Sequence, residues 1–466
     1  MINDRGQIES KILVPISIII IMTAMGGFLI TQVSLTVTVL IIVLFITLTT
    51  GFLNPEISLY LLLIAMLLSP EFIVGDLMGR GTGARGVTVR LDDFLIVIIG
   101  LGWFLRTAID KELGLFLRTL LNTPIAIYIT ACLASTLIGF MSGRLKLLTG
   151  IFFILKYFEY FVIYFMAVNY LREKKQVERF VAVILGVCFV ICIIAILQIP
   201  AGGRVTAPFE GEVGEPNTLG GYLVLMLSIA TGLLVMPQST EHKKYLGVLI
   251  ALIIVSLLAT LSRSSWLAAF PMVLTLIYFS PRKTLLIISL LVVILISPFA
   301  LPKAVKERAL YTVAQRYHAE QIEVGGVRID TSTSARLYSW KDALTKDFIK
   351  HPILGYGITG YKFLDAQYPR MLVETGVVGF ISFFILLFSV YRNALHNYRT
   401  TTDPFFSGII LGYLAGFVGM ILHAIGTNTF IIVRIMEPFW FLTAIVIMIP
   451  KIEAGDVKIK EAPAKG

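Results

Sequence analysis

Long apolar segments follow one another along most of the chain and are separated by short polar loops. A helix needs about 20 apolar residues to cross the hydrocarbon core of a bilayer. In lipid, every backbone N–H and C=O group must be bonded within the protein, so the pattern predicts a bundle of helices. The chain thus reads as one all-α integral-membrane domain, residues 1–466. We predict about 14 spans, near 12–30, 33–53, 57–73, 91–109, 124–141, 147–171, 177–198, 217–236, 245–261, 264–280, 284–301, 373–391, 405–425 and 430–449.

Two segments depart from this apolar pattern. Residues 302–372 form a large loop, which the arrangement of spans places outside the cytoplasm, and residues 451–466 form a short charged tail. Within the loop, 303–318 has the pattern of a helix.

A second helix is predicted further along the same loop. Leu337, Trp340 and Leu344 recur at helical spacing and share one face. Ser334 is a suitable N-cap, and Pro352 ends the helix because proline disfavours helical geometry at the residue before it. We therefore expect an ordered, partly helical lid.

The composition of the chain limits the classes of protein to which it can belong. The chain is 57% hydrophobic and 15% charged, against about 25% charged residues in soluble domains. This excludes an ordinary soluble enzyme and makes the net charge of +10 an insertion signal rather than a nucleic-acid signal. With the N-terminus inside, the cytoplasmic segments hold 19 Lys and Arg and the short outer loops hold 7, which predicts that both termini are cytoplasmic. The three cysteines lie in apolar runs, and no CxxC or Cys/His ligand spacing occurs, so no disulfide framework and no zinc site are predicted.

Several arginines fall on the predicted outer side, where insertion does not require them. Arg204 lies in a Gly- and Pro-rich loop with Glu215, and Arg263 interrupts an apolar run. A single outer arginine is also explained by contact with lipid headgroups. Together, arginines at headgroup depth suit a lipid-linked pyrophosphate, whose leaving-group charge they would stabilise.

Charged residues inside the spans have simpler interpretations. Lys156 with Glu159, and Arg434 with Glu437, are three residues apart on a helix and are expected to neutralise each other. Asp92–Asp93 opens a span and is explained by helix N-terminal capping.

The sequence resembles the O-antigen ligase and polymerase superfamily of bacterial surface-polysaccharide assembly. The resemblance covers roughly the C-terminal half and rests on motifs in the expected order. These are Arg204 followed by Pro216-Asn217-Thr218-Leu219-Gly220-Gly221, the turn Thr260-Leu261-Ser262-Arg263-Ser264, the loop motif Ser334-Ala335-Arg336-Leu337 with Trp340 and then His351-Pro352-Ile353-Leu354-Gly355-Tyr356-Gly357, and the helix start Glu374-Thr375-Gly376-Val377-Val378-Gly379.

The resemblance implies a C-type glycosyltransferase-like bundle with its active site on the extracytoplasmic face of the cytoplasmic (inner) membrane. It implies transfer of a glycan from undecaprenyl pyrophosphate to a glycan, lipid or protein acceptor, with no cofactor and no essential metal. By motif, Arg204 and Arg263 would hold the donor pyrophosphate, and Arg336 would bind donor or acceptor. Expected partners are this donor, the acceptor, membrane lipid and other polysaccharide-assembly proteins, but no nucleic acid.

One position departs from the family pattern. Ligases of the family often carry a His-Asn pair before the last motif, and here the residues are Asp365-Ala366-Gln367-Tyr368. This disfavours transfer to lipid A core. Asp365, His351 and Glu215 are candidate bases. Candidate substrate-binding residues are Asn217, Tyr368, Arg434 and Trp340.

We therefore expect an enzyme, a polymerase that joins lipid-linked oligosaccharide repeat units. A ligase of the same superfamily is the alternative. A transporter or flippase of the lipid-linked saccharide is the alternative of another class, although the polar features gather on one side instead of facing a midplane cavity.

Overall fold

The computed structural model describes residues 49, 54–73, 88–109, 117–210, 214–236, 243–315, 321–324 and 327–455, and the statements below concern these residues. The chain divides into two units, residues 1–59 with 94–115, and residues 60–93 with 116–466. Of the first unit, the structure describes the start of helix α1 and most of helix α2. All further contacts discussed lie within the second unit.

The described chain is helical apart from two short antiparallel strand pairs. Its first part contains α1 Pro55–Leu68, β1 Glu71–Ile73, β2 Thr88–Arg90, α2 Leu91–Ile109, α3 Asn122–Met141, α4 Leu147–Tyr170, α5 Lys174–Gln198, α6 Pro216–Val235, α7 Lys243–Ala259 and α8 Arg263–Phe279. Its second part contains α9 Lys283–Ala300, α10 Lys303–Ala314, β3 Glu323–Val324, β4 Val327–Arg328, α11 Thr331–Asp342, α12 Gln367–Thr400, α13 Pro404–Gly426 and α14 Val433–Glu453.

Seven of these helices are long and apolar enough to cross a membrane, and an eighth crossing results if α9 and α10, bent by 99°, count as one. Helix α8 is apolar but shorter, at 17 residues. Each predicted span in the described residues falls on a helix, although 57–73 runs beyond the end of α1 into β1. The spans 12–30 and 33–53 lie outside the described residues, except for Thr49, so the count of 14 stays a prediction.

Helices α6 and α13 pack backbone to backbone through glycines. A Cβ atom on Gly232 would lie 2.4 Å from the carbonyl oxygen of Gly408, and one on Gly412 would lie 2.5 Å from the carbonyl oxygen of Ser228. Small residues allow this approach in the apolar bundle, where close packing rather than the hydrophobic effect joins helices. The pair therefore forms a tight centre to which α8 also attaches, since Gly419 packs against Met272 and Ala268.

Helix α14 joins this centre to α4 through aromatic rings. Trp440 makes edge-on contacts with Phe161 at 4.7 Å and with Tyr164 at 5.7 Å between ring centroids. Edge-to-face pairs of this kind add to the gain from burial alone. The packing fixes the depth of α14 and hence of the charged residues near its start.

The helices of the 302–372 loop are partly as predicted. Helix α10 confirms the helical pattern of 303–318 over Lys303–Ala314. The second helix also forms, but its N-cap is Asp330 and not Ser334. Asp330 accepts hydrogen bonds from the backbone N–H groups of Ser332 and Thr333, whereas the Ser334 hydroxyl accepts one from Ile322 N. Helical turns continue to Lys350 and end before Pro352, as expected.

Candidate functional site: an arginine cluster at the turn between α7 and α8

The turn between α7 and α8 presents Arg263 at the first position of α8. Leu261 in this turn has φ +50°, a left-handed conformation that is unfavourable for a branched side chain. The next residue, Ser262, caps α8 by accepting a hydrogen bond from Ser265 N. Strain held in place by a cap is typical of functional sites, and here it fixes the direction in which Arg263 leaves the helix.

Arg263 is held by the buried carboxylate of Asp330. Its two terminal nitrogens donate to the two carboxylate oxygens at 2.8 and 3.0 Å, and Nη2 also donates to Ser332 Oγ at 2.8 Å. Burial alone would raise the pKa of Asp330, but hydrogen bonds from Arg263, Ser332 and Thr333 hold it well below its usual range. Asp330 is therefore a permanent anion that ties α11 to the start of α8.

Two further arginines bind the same turn through its backbone. Arg204 Nε donates to Thr260 O at 3.2 Å, and Arg308 Nε donates to Leu261 O at 3.3 Å. Backbone carbonyls of the turn thus bind one arginine from the α5–α6 loop and one from α10. The side chain of Arg204 is exposed at this point.

The fourth arginine lies one turn into α11. Arg336 donates from Nε and Nη2 to the same oxygen of Asp365, Oδ2, at 3.1 and 2.7 Å. Both side chains are about one-third exposed. Arg336 therefore occupies only one of the two carboxylate oxygens of Asp365.

The four arginines act on one another electrostatically. Partial desolvation lowers the pKa of Arg204, and the positive charges of Arg308, Arg263 and Arg336 lower it further, while Glu215 opposes them. We call Arg204, Arg263, Arg308 and Arg336 the arginine cluster. Three carboxylates, on Asp330, Asp365 and Glu215, leave the group one net positive charge, which favours an anionic ligand.

A buried network of polar side chains joins the turn to α6 and α13. Asn217 Oδ1, near the start of α6, accepts a hydrogen bond from Ser262 Oγ at 2.7 Å. Ser262 Oγ contacts Ser265 Oγ at 2.7 Å, and Ser265 Oγ contacts His423 Nε2 at 2.9 Å. His423 Nδ1 in turn contacts Thr429 Oγ1 at 2.8 Å. Asn217 is thus placed beside the arginine cluster, where it orients the turn.

The last two family motifs pack against each other. Gly376 interrupts α12 with φ +65°, and a Cβ atom there would lie 2.2 Å from Ile353 O. Across this break, Val377 N donates to Pro352 O at 2.8 Å and Gly357 N donates to Glu374 O at 2.8 Å. The spacing of glycines in both motifs is therefore explained by a close backbone contact.

His351 lies with this packed segment and makes no contact with the arginine cluster among the described residues. Its ring packs edge-on against Tyr356 at 4.7 Å. Burial lowers the pKa of His351, and the charges of Arg144 and Lys350 lower it further, which favours the neutral ring.

Three predicted substrate-binding residues have different surroundings. All five N–H donors of Arg434 are used inside the protein, one by Glu71 and the rest by backbone carbonyls. Tyr368 donates its hydroxyl to Ile421 O at 2.7 Å. Trp340, one turn beyond Arg336 on α11, is half-buried, and its Nε1 has no hydrogen-bond partner among the described residues. Of the three, Trp340 alone stands on the helix that carries a member of the cluster.

The pairings expected inside the spans are half confirmed. Lys156 contacts Glu159 at 3.2 Å, as predicted. The predicted pair of Arg434 with Glu437 is wrong, because Arg434 binds Glu71 and Glu437 binds Arg90, each at 3.1 Å. Helical spacing identified neighbours on one helix but could not include partners from other segments.

Sequence reasoning also overlooked Arg308 and Asp330. A signal for Asp330 was present, because an aspartate before Thr-Ser-Thr is typical of a helix N-cap. Arg308 had no such signal, since it is one of several charges on an amphipathic helix.

The fold and the site together are those of a helical membrane protein with a cationic site. The chain has several helices long and apolar enough for a membrane, and around one interhelical turn it carries a cluster of arginines.

The family model described as O-antigen ligase matches residues 246–384. This match confirms the resemblance to the O-antigen ligase superfamily that the motifs predict. The matched residues include three members of the arginine cluster, Arg263, Arg308 and Arg336, while Arg204 lies before them. No curated protein matches the chain.

Proposed function

We propose that this protein is a glycan polymerase of the extracytoplasmic membrane face, which joins oligosaccharide repeat units carried on undecaprenyl pyrophosphate. The observation that carries the proposal is the arginine cluster, in which Arg204, Arg263 and Arg308 meet at one strained turn and Arg336, held by Asp365, interacts with them electrostatically. Guanidinium groups bind phosphate oxygens in pairs and stay charged when partly buried.

The cluster suits a leaving group that gains negative charge. As the bond between the sugar and the pyrophosphate breaks, charge develops on the pyrophosphate, and pre-positioned donors lower the barrier by stabilising it. Asp330 and Asp365 hold Arg263 and Arg336 in place before the substrate arrives. Little reorganisation is then needed during the reaction.

We further propose Asp365 as the group that accepts the proton of the acceptor hydroxyl. Arg336 binds only its Oδ2, so the other oxygen is left for the hydroxyl beside the cluster. His351 packs instead against Tyr356, and Glu215 is a second candidate through its proximity to Arg204.

A ligase is the second candidate, and the family description favours it. The two differ in their products, because a polymerase extends a lipid-linked chain repeatedly and a ligase transfers a glycan once to a different acceptor. The missing His-Asn pair at Asp365–Tyr368 is the reason to place the polymerase first.

The test is a reaction of the purified full-length chain in vesicles with undecaprenyl-pyrophosphate-linked oligosaccharide as the only glycan. A ladder of lipid-linked products supports the polymerase. No ladder, but a single transfer product once a lipid or peptide acceptor is added, would identify a ligase and reject the polymerase. Glycan crossing the vesicle membrane with no new glycosidic bond would instead identify a transporter.

A further inference from the structure

Four carboxylates meet inside the bundle, away from the residues of the arginine cluster. Asp92 and Asp93 come from the first turn of α2, Glu159 from α4 and Glu437 from α14. Their side chains are 0%, 16%, 9% and 0% exposed, respectively. We call these four residues the carboxylate cluster.

Two basic side chains lie among the carboxylates. Arg90 Nη2 contacts Asp92 at 2.7 Å and Glu437 at 3.1 Å. Lys156 Nζ contacts Asp93 and lies 3.2 Å from Glu159. Each carboxylate therefore has one oxygen bound to, or close to, a basic group.

The remaining carboxylate oxygens have no hydrogen-bond partner among the described residues. They are Asp92 Oδ1, Asp93 Oδ1, Glu159 Oε1 and Glu437 Oε2, and Asp92 Oδ2 also lacks one despite its ion pair. Asp93 Oδ1 and Glu159 Oε1 are 3.9 and 3.6 Å from Arg90, too far for hydrogen bonds. Buried carboxylate oxygens without partners are costly, so the protein needs something else to satisfy them.

The charges of this region do not balance. Arg90 and Lys156 offset two of the four carboxylates, and the neighbouring pair of Glu71 with Arg434 is neutral on its own. With all four carboxylates ionised, two negative charges remain among largely buried groups, where an excess charge is strongly unfavourable. One divalent cation would neutralise them.

The geometry of the oxygens fits such an ion. Carboxylate oxygens of Asp92, Asp93 and Glu159 lie within 4.8 Å of one another. Mg²⁺ and Ca²⁺ prefer oxygen ligands, at about 2.0–2.1 and 2.3–2.6 Å respectively, so oxygens bound to one ion lie less than about 5 Å apart.

We propose that the carboxylate cluster binds one hard divalent cation, Mg²⁺ or Ca²⁺, through Asp92, Asp93 and Glu159, while Glu437 adds negative charge beside the site. The ion joins the start of α2 to α4, which are brought together from distant parts of the chain. Its role is structural and does not depend on the proposed transferase activity. The sequence predicted no metal site because helix capping explained Asp92–Asp93, and the partners Glu159 and Glu437 lie far along the chain.

The first experiment measures bound metal and thermal stability of the purified full-length chain in detergent. After treatment with EDTA and its removal, addition of Mg²⁺ or Ca²⁺ should restore about one bound ion per chain and raise Tm by roughly 5 °C at a saturation of about 100 times Kd. Monovalent salt at equal ionic strength should not raise Tm. No bound ion and no rise in Tm with either cation would overturn the proposal.

The variant Asp92→Asn gives a second readout, because it removes both a ligand and one excess charge. With the cation present, the variant should be less stable than the wild type and should bind the ion at least tenfold more weakly. In EDTA the order should reverse, since the wild type then holds two unbalanced charges and the variant one.

Asp342→Asn is the matched control, because Asp342 forms an exposed pair with Lys346 outside the cluster. This variant should keep the ion affinity and the response of Tm to metal. If Asp92→Asn were more stable than the wild type both with the cation and in EDTA, protons rather than a metal would neutralise the cluster, and the proposal would be wrong. A variant that fails to fold even with the cation is replaced by Glu159→Gln, for which the same two outcomes decide.

Discussion

Two regions of the molecule hold arginines beside carboxylates, and they differ in how the remaining N–H donors are used. Arg434 is 2% exposed, and its five donors all bind Glu71 or backbone carbonyls. Arg204, by contrast, makes one hydrogen bond among the described residues and is exposed. The first arrangement stabilises a fold, and the second leaves donors for a ligand.

The difference shows that residue type and depth alone do not identify a binding arginine. Arg434 and Arg263 both lie at helix starts in apolar sequence, and both are held by a carboxylate. Arg434 is surrounded by carbonyls from the end of α1 and from the α5–α6 loop, whereas Arg263 lies among three other arginines. What surrounds the guanidinium separates the two roles.

The largest effect is expected from Arg434→Ala. The substitution removes the five hydrogen bonds that Arg434 donates to Glu71 and to four carbonyls, and breaking a buried ion pair costs about 3–5 kcal/mol. We expect little folded protein by size-exclusion chromatography in detergent. Arg204→Ala is the matched control and should keep the wild-type elution and a Tm within about 2 °C. Equal loss of folded protein in both variants would remove the distinction between the two regions.

The next effect concerns catalysis without loss of fold. Arg263→Lys keeps the charge but loses the two-point contact, so glycan transfer should fall about 1000-fold while Tm changes little. The measurement is the initial rate of product formation from lipid-linked oligosaccharide. Arg328→Lys, an exposed pair with Glu323 outside the cluster, should keep the wild-type rate. A rate for Arg263→Lys within threefold of wild type would contradict a role at the pyrophosphate.

The next prediction tests which residue is the base, Asp365 beside the arginine cluster or His351 in the neighbouring packed segment. Asp365→Asn should slow transfer about 100-fold, and His351→Gln should change it less than about threefold. Because burial lowers the pKa of His351, a histidine base would make the wild-type rate fall as the pH drops through that lowered value, and His351→Gln would lose this dependence. We expect superimposable pH profiles for the wild type and His351→Gln; a profile that changes would assign the base to His351.

The smallest effect is on stability and depends on pH. Because the folded-state pKa of Asp330 lies well below its usual value of about 3.9, its ion pair stabilises the fold above that pH, and this contribution is lost only as the pH falls through the folded-state value. Asp330→Asn should therefore lower Tm by a few degrees between pH 8 and 5, with the difference shrinking below pH 4. A difference that already disappears between pH 7 and 5 would disprove a strongly bound carboxylate.

Much of the fold could be predicted from the sequence, because apolar runs of membrane length form helices whatever their partners are. The turn at Arg263 could also be predicted, since polar residues interrupt an apolar run there. Ion pairs across the bundle could not be predicted from the sequence, because a pair such as Arg90 with Glu437 joins residues 347 positions apart. Helical spacing alone therefore assigned Glu437 to Arg434.

The site was predictable to a similar degree. The motifs identified Arg204, Arg263 and Arg336, whereas Arg308 and Asp330 became visible only through their contacts with the turn and with Arg263. Gly376 illustrates the physical limit, because its motif reads as a helix start, yet the residue breaks a helix that begins at Gln367 so that the 352–357 segment can dock.

The most direct test of the central claim is the binding of undecaprenyl pyrophosphate and undecaprenyl monophosphate to the purified wild type and to Arg204→Ala. If the arginine cluster holds the pyrophosphate, the wild type should bind the pyrophosphate at least tenfold more tightly than the monophosphate, a difference of about 1.4 kcal/mol, and Arg204→Ala should lose most of this preference. Equal affinity of the wild type for both lipids, or an unchanged preference in Arg204→Ala, would contradict the account.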